Sequence, residues 1–280
     1  MILVTGGTGN VGAHVVRRLL DAGEKVRVLT RDPGGRSFPG GVEVVPGDLT
    51  RAETLPEALS GVERAFLFPV FSGVDDFLGA AREAGLRHVV LLSSQTVTFD
   101  TPGWVGEQHL RLERAVESSG LPWTFVRPGA FMTNDLTWAP QIASGVVRGV
   151  YGGAALAPVD PRDIAAVSAR ALLDERAGES YVLTGPQSLT QIERVRIIAE
   201  TIGRPLRFEE VPRELFQEQM LGHGMPAPVI AELMDGLAAR VGKTDPVLPA
   251  VEEVTGRAPF TYAQWVAHRA ADFGLGVSNP

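Results

Sequence analysis

The first half of the chain switches repeatedly between two hydrophobic patterns. Short, mostly apolar runs stand at 2–4 (ILV), 25–30 (KVRVLT), 42–48 (VEVVPGD), 64–70 (RAFLFPV), 88–94 (HVVLLSS) and 123–129 (WTFVRPG). Between them, apolar residues recur every three to four positions. Val11, Val15, Val16, Leu19 and Leu20 form one such helical stripe, which Gly23 ends. Further helices are predicted over 50–59, capped by Thr50, and over 74–85 and 106–120. Strands apolar on both faces, alternating with amphipathic helices, predict a covered parallel sheet: a Rossmann-type, doubly wound α/β fold.

The second half is less regular. Helices are predicted over 160–175, 188–203, 212–221, 227–241 and 261–274, strands over 180–185 and 205–211, and a loop with a short helix over 242–259. The organisation expected is a nucleotide-binding Rossmann domain over 1–150 and a smaller α+β substrate cap over 151–280, interleaved with the sheet. Such a cap belongs at the carboxyl edge, where open α/β sheets bind ligands. No internal repeat is visible.

Composition narrows the function classes. The chain is 44% hydrophobic and 21% charged, as in ordinary globular proteins. It has no cysteine, which removes disulfides, thiolate nucleophiles and zinc–thiolate sites and fits a reducing cytoplasm, the compartment expected. The net charge is −7 with no basic run, so no nucleic-acid partner is expected. No apolar stretch approaches the roughly 20 residues of a bilayer span, and the run after Met1 is too short for a signal peptide. The chain is therefore expected to begin on its own first strand and to have no membrane partner. The histidines, His14, His88, His109, His223 and His268, show no metal-ligand spacing, so no metal is expected.

The most specific motif is VTGGTGNVG, with Gly6, Gly9 and Gly12 between a strand and a helix. Gly6 permits a tight turn, Gly9 lets backbone approach a pyrophosphate, and Gly12 lets the helix pack near the strand. The helix N-terminus then offers N–H groups and partial positive charge to phosphates. At the end of the second strand, where an NAD site carries an acid, the sequence reads LTRDP. Arg31 suits a 2′-phosphate through charge-assisted bonds, so NADP(H) is expected, while Asp32 leaves NAD(H) open.

These motifs, with HVVLLSS and HLRLERAVESSGLPWTFVRPGAFMTN, resemble the atypical short-chain dehydrogenases of the NmrA-like group. The match is strong to about residue 135 and weaker to about 200, and FTYAQWV again resembles the group's C-termini. That group includes NADPH-dependent quinone reductases, dye reductases, polyketide-tailoring members and NADP-sensing regulators. The resemblance implies that Thr8, Gly9, Asn10 and Val11 hold the pyrophosphate and that Arg31 faces the adenosine ribose. It implies that Asp48 and Leu49 flank the adenine, and that Phe68 and Pro69 lie over the middle of the cofactor. Ser93 is implied near the nicotinamide ribose, and Pro128, Gly129 and Phe131 beside the nicotinamide.

Typical enzymes of the wider superfamily carry a Tyr with a Lys four residues on, one helical turn away, to move the proton. Here the tyrosines are Tyr151, Tyr181 and Tyr262, the lysines Lys25 and Lys243, and no such pair exists. With the helix register set by Glu113, Val105 stands at the tyrosine position and His109 at the lysine. His109 is the candidate catalytic residue. It could contact the nicotinamide ribose, deliver a proton, or merely pack and pair with Glu113. A developing alkoxide needs a positioned donor, whereas a quinoid or conjugated aromatic acceptor spreads charge over itself. Expected pocket residues are Val70, Gln95, Phe131, Met132, Trp138, Phe216, Met220 and His223, with Pro69, Val70 and Phe71 closing one side; for each, core packing is the alternative. The expected function is NAD(P)H-dependent reduction of a small quinoid or aromatic molecule by a monomer or homodimer. The alternative is a non-catalytic NADP(H)-sensing regulator that binds a protein partner.

Overall fold

The computed structural model describes residues 1–35 and 37–274. Along the chain, β1 (Ile2–Thr5), α1 (Gly12–Asp21), β2 (Val26–Thr30), β3 (Val42–Pro46), α2 (Leu55–Leu59) and β4 (Arg64–Leu67) come first. They are followed by α3 (Val74–Glu83), β5 (His88–Leu92), α4 (Gly103–Ser118), β6 (Trp123–Pro128), α5 (Ala139–Ile142), β7 (Val146–Gly149) and β8 (Ala155–Leu156). Next come α6 (Pro161–Leu173), β9 (Glu179–Leu183), β10 (Leu189–Thr190), α7 (Gln191–Ile202) and β11 (Arg207–Glu210). The last helices are α8 (Arg213–Gly222), α9 (Ala227–Ala238), α10 (Ala250–Thr255) and α11 (Tyr262–His268).

The chain divides into two compact units. One comprises Met1–Pro128, Pro161–Leu183 and Ala250–Arg257; the other comprises Gly129–Asp160, Thr184–Pro249 and the chain from Ala258. The backbone crosses between them several times rather than once near residue 150, because β9 pairs with β6 and carries residues 161–183 into the first unit.

In the first unit seven parallel strands lie in the order β3-β2-β1-β4-β5-β6-β9. The strands β1, β4 and β5 are buried along their whole length, which explains their unbroken apolar runs. Leu3, Leu29, Leu67, Leu91 and Phe125 meet Leu55, Phe77 and Leu112 from α2, α3 and α4 in one core. Helices α1 and α6 pack on each other and on the sheet. Arg27, buried within β2, closes the C-terminus of α2 by donating to the carbonyls of Ala58 (2.9 Å) and Ser60 (2.7 Å).

One predicted cap is corrected. Thr50 does not start the helix over 50–59. Its amide and hydroxyl both donate to Asp48 Oδ1 (2.9 Å each), and the segment passes through a 3₁₀ turn at Ala52–Thr54 before α2. The predicted helix 188–203 starts at Gln191, because Thr190 and Glu193 form a capping box and Leu189–Thr190 is a strand.

The second unit is α+β. β7 pairs with β11 in parallel and β8 with β10 antiparallel. Its core gathers Ile142, Val147, Ile198, Trp265 and Phe273. Within it, Arg194 Nη1 donates to both oxygens of the buried Asp135 (2.6 Å each), and the Tyr262 hydroxyl donates to Oδ2 (2.6 Å). The guanidinium of Arg194 lies 5.1 Å from the ring centroid of Trp138.

Candidate cofactor and active site

The strand order reverses at β1, whose neighbours β2 and β4 lead outwards in opposite directions. Such a switch point opens a crevice at the carboxyl ends of the strands. Thr5 pins it shut below. Its hydroxyl donates to the Phe66 carbonyl (3.1 Å) and accepts from the Phe68 amide (2.7 Å), joining the ends of β1 and β4.

The glycine loop leaves β1 here. Gly6 has φ +64°, a left-handed conformation cheap only for glycine, and its carbonyl accepts from the Gly9 amide (2.9 Å) in a tight turn. Gly12 shows the close approach expected of it: a Cβ there would stand 2.2 Å from the Gly6 oxygen and 3.0 Å from Gly7 Cα. The loop therefore lies directly on the start of α1. At that helix Val11 is the N-cap and supplies no side-chain acceptor, and the first turn holds no acid. Helix N-terminal amides and their partial charge thus face the loop without a carboxylate competing for them. Gly9 and Asn10 are exposed, and Thr8 is half-buried.

Around the loop lie the other expected cofactor contacts. Phe68 is 42% exposed and packs its Cβ and Cγ over Gly6. Arg31 is exposed at the end of β2. The Asp32 carboxylate is turned onto its own loop, with Oδ2 2.0 Å from where a Gly35 Cβ would be. Asp48 is held below the usual carboxylate range, first by the Thr50 amide and then by its hydroxyl, with Arg31 adding a smaller push in the same direction. Leu49 is buried beside it.

At the end of β5 and on α4 the site changes character. Ser93 Oγ and His109 Nδ1 are buried, and neither has a hydrogen-bond partner. An unpaired buried polar atom costs about 1–3 kcal/mol, so these two, one just past β5 and one on α4, are candidates to meet a ligand. Burial lowers the pKa of His109, with the charge of Glu113 opposing, which favours the neutral imidazole.

Of the three readings of His109, the one that pairs it with Glu113 is not what the structure shows. The buried Glu113 carboxylate is taken by Arg127 of β6, whose Nε and Nη2 donate to Oε1 (2.9 Å) and Oε2 (2.7 Å). This fork ties α4, one turn beyond His109, to the residue preceding Pro128. His109 instead meets the ring of Phe71 edge to face, with centroids 5.3 Å apart and planes at 89°. Sequence reasoning missed Arg127 and Thr5. Both partnerships span distant elements, and neither residue belongs to a recognisable local pattern.

Of the expected pocket residues, Val70 and Gln95 are half-buried in the first unit. In the second, Met132 and Trp138 are buried core residues, which fits the core-packing alternative for those two. Phe131 is half-buried, Phe216 packs partly against Val150 and Leu237, Met220 is half-buried and His223 exposed. Among the described residues no group of three or more His, Asp or Glu could hold a metal, and no helix is long and apolar enough to cross a membrane.

The donor set fits a dinucleotide. The loop and helix start offer amides for phosphates, Arg31 offers a cation where a ribose phosphate would lie, and Ser93 and His109 offer unsatisfied atoms for ribose hydroxyls.

Comparison with known proteins agrees with this geometry. The model of the NmrA-like family matches residues 1–252. The (4-alkanoyl-5-oxo-2,5-dihydrofuran-3-yl)methyl phosphate reductase of Streptomyces griseus is 41% identical, covering 98% of this chain and 99% of its own. The NAD(P)H azoreductase of Xenophilus azovorans is 36% identical over the same shares. Among solved structures, the NADPH-dependent quinone oxidoreductase of Escherichia coli, complexed with NADPH, superposes with a TM-score of 0.81 at 23% identity, covering 96% of this chain and 100% of that one.

Proposed function

Since the chain belongs to the NmrA-like family, we propose that it is an NADP(H)-dependent oxidoreductase that reduces a conjugated, charge-delocalising acceptor of quinoid or aromatic kind. The broader class, an NAD(P)H-dependent oxidoreductase, rests on reductases 36% and 41% identical over nearly the whole chain. The observation that carries the finer reading is the pair of unpartnered atoms, Ser93 Oγ and His109 Nδ1, in a chain with no Tyr–Lys pair.

In this reading Gly6, Thr8, Gly9, Asn10, Val11 and Gly12 receive the pyrophosphate. Arg31 receives the 2′-phosphate, because Asp32 is turned onto Gly35. Asp48 and Leu49 flank the adenine, Phe68 and Pro69 cover the cofactor's middle, and Pro128 and Gly129 stand beside the nicotinamide. Ser93 and His109 hold the nicotinamide ribose. The bound reduced nicotinamide supplies hydride.

His109 is a cofactor-orienting group here rather than an acid, since its Nδ1 is buried without a partner and burial disfavours the charged imidazolium. The acceptor must carry the arriving negative charge itself and take its proton from water. The substrate named for the Streptomyces griseus relative has that property: an acyl group and a ring carbonyl flank one ring carbon, so charge spreads over two oxygens.

The test is NADPH consumption with naphthoquinone, an azo dye and cyclohexanone. The first two are expected to be reduced and the simple ketone not. His109→Ala is expected to raise the KM for NADPH more than it lowers kcat. Reduction of cyclohexanone at the quinone's rate would overturn the reading.

A further inference from the structure

Phe71 lies just past the carboxyl end of β4. It is 49% exposed, in the loop between β4 and α3. Its neighbour Phe68 is also exposed but has a clear task, packing on the glycine loop. Among the described residues Phe71 has one ring contact, the edge-to-face meeting with His109. His109 is only 8% exposed and its Nδ1 lacks a partner. A half-exposed aromatic ring therefore borders a buried, unsatisfied imidazole. Aromatic faces pair best with other π systems, and a ring stacked flat on Phe71 would stand at right angles to the imidazole plane.

We propose that Phe71 is the specificity-determining platform for the acceptor, selecting planar conjugated rings by stacking beside His109. For the class of ligand this rests on the reductase reading above. The platform belongs to the acceptor rather than to the nucleotide. A leucine of similar bulk at this position keeps the apolar contact and loses the π face, whereas a tryptophan keeps both.

The experiment measures, by calorimetry, the affinity of naphthoquinone and of cyclohexenone for the full-length protein saturated with NADP⁺, where no turnover occurs. Phe71→Leu is expected to weaken naphthoquinone binding about tenfold and cyclohexenone binding far less, with Phe71→Trp restoring the wild-type value. NADP⁺ affinity and Tm are expected to stay at wild-type values in both variants, since the side chain is half exposed. Equal naphthoquinone affinity in Phe71→Leu, a fall in NADP⁺ affinity there, or no naphthoquinone binding by the wild type would overturn the proposal. Wild-type binding that Phe71→Leu weakens, without any reduction when NADPH replaces NADP⁺, would support the platform and remove the reductase reading.

Discussion

Replacing Gly9 and Gly12 by alanine, one at a time, separates a glycine that serves the ligand from one that serves the fold. At Gly12 a methyl group would meet the Gly6 oxygen at 2.2 Å, the Gly6 carbonyl carbon at 2.7 Å and Gly7 Cα at 3.0 Å. All three are backbone atoms, so α1 must move off the loop. Overpacking of this kind costs about 1–3 kcal/mol. At Gly9 the nearest atom is the Gly6 oxygen at 3.3 Å, which a shift of a few tenths of an ångström relieves. Alanine also restricts the unfolded chain, worth about 0.4–1 kcal/mol, so Gly9→Ala is expected to leave stability near wild type. Its methyl nevertheless occupies the exposed side of the loop, where phosphate must approach the amides. Losing one or two charge-assisted bonds of about 1.5–3 kcal/mol each weakens nucleotide binding by roughly tenfold to about ten-thousandfold. Thermal unfolding and NADPH calorimetry on both variants read the two effects. Gly12→Ala is expected to lose both Tm and affinity, Gly9→Ala affinity alone. A folded Gly9→Ala protein that binds NADPH as tightly as wild type would refute the placement of phosphate on this loop.

Three further predictions follow from the buried polar groups. Glu113→Gln breaks the fork to Arg127, whose side chain is 20% exposed; it is expected to cost about 2–3 kcal/mol in denaturant unfolding, slightly less than a fully buried pair. Asp135→Asn leaves Arg194 buried without its anion and is expected to cost about 3–5 kcal/mol, while Tyr262→Phe removes one hydrogen bond and costs about 1–2 kcal/mol; equal effects would contradict the ranking. Burial lowers the pKa of both His88 and His109. The unfolded chain then binds more protons below about pH 6.5, so stability is full above that pH and falls as pH drops towards the folded values, by at most about 1.4 kcal/mol per pH unit for each histidine. His109→Gln should flatten part of that slope in unfolding measured across the range.

Much of the first unit was legible because its strands are buried on both faces and read as apolar runs. The glycine loop was legible because its spacing encodes a turn and a close approach that only glycine allows. The short strands β7 and β8 were not. The first is the four residues VVRG amid glycines and pairs with β11 some 60 residues on, and the second is two residues long. The fork between Glu113 and Arg127 escaped for a related reason. Helical spacing offered His109 as a local partner for Glu113, and only the packing of α4 on β6 shows which cation takes the carboxylate. The buried triad of Asp135, Arg194 and Tyr262 joins residues 59 and 127 positions apart, and no local pattern marks it. Thr50 carried a helix-cap signature, but Asp48 two residues earlier captured both its amide and its hydroxyl.

The most direct test is a single turnover. The protein is mixed with one equivalent of NADPH and excess naphthoquinone, and the loss of the reduced nicotinamide's near-ultraviolet absorbance is followed in wild type and in His109→Ala. Rapid oxidation by the wild type, retained in the variant once the protein is concentrated enough to hold all of that NADPH, is the result predicted for a reductase whose acceptor carries its own charge. Tight NADPH binding with no oxidation by naphthoquinone or an azo dye would contradict it and favour a nucleotide-sensing role.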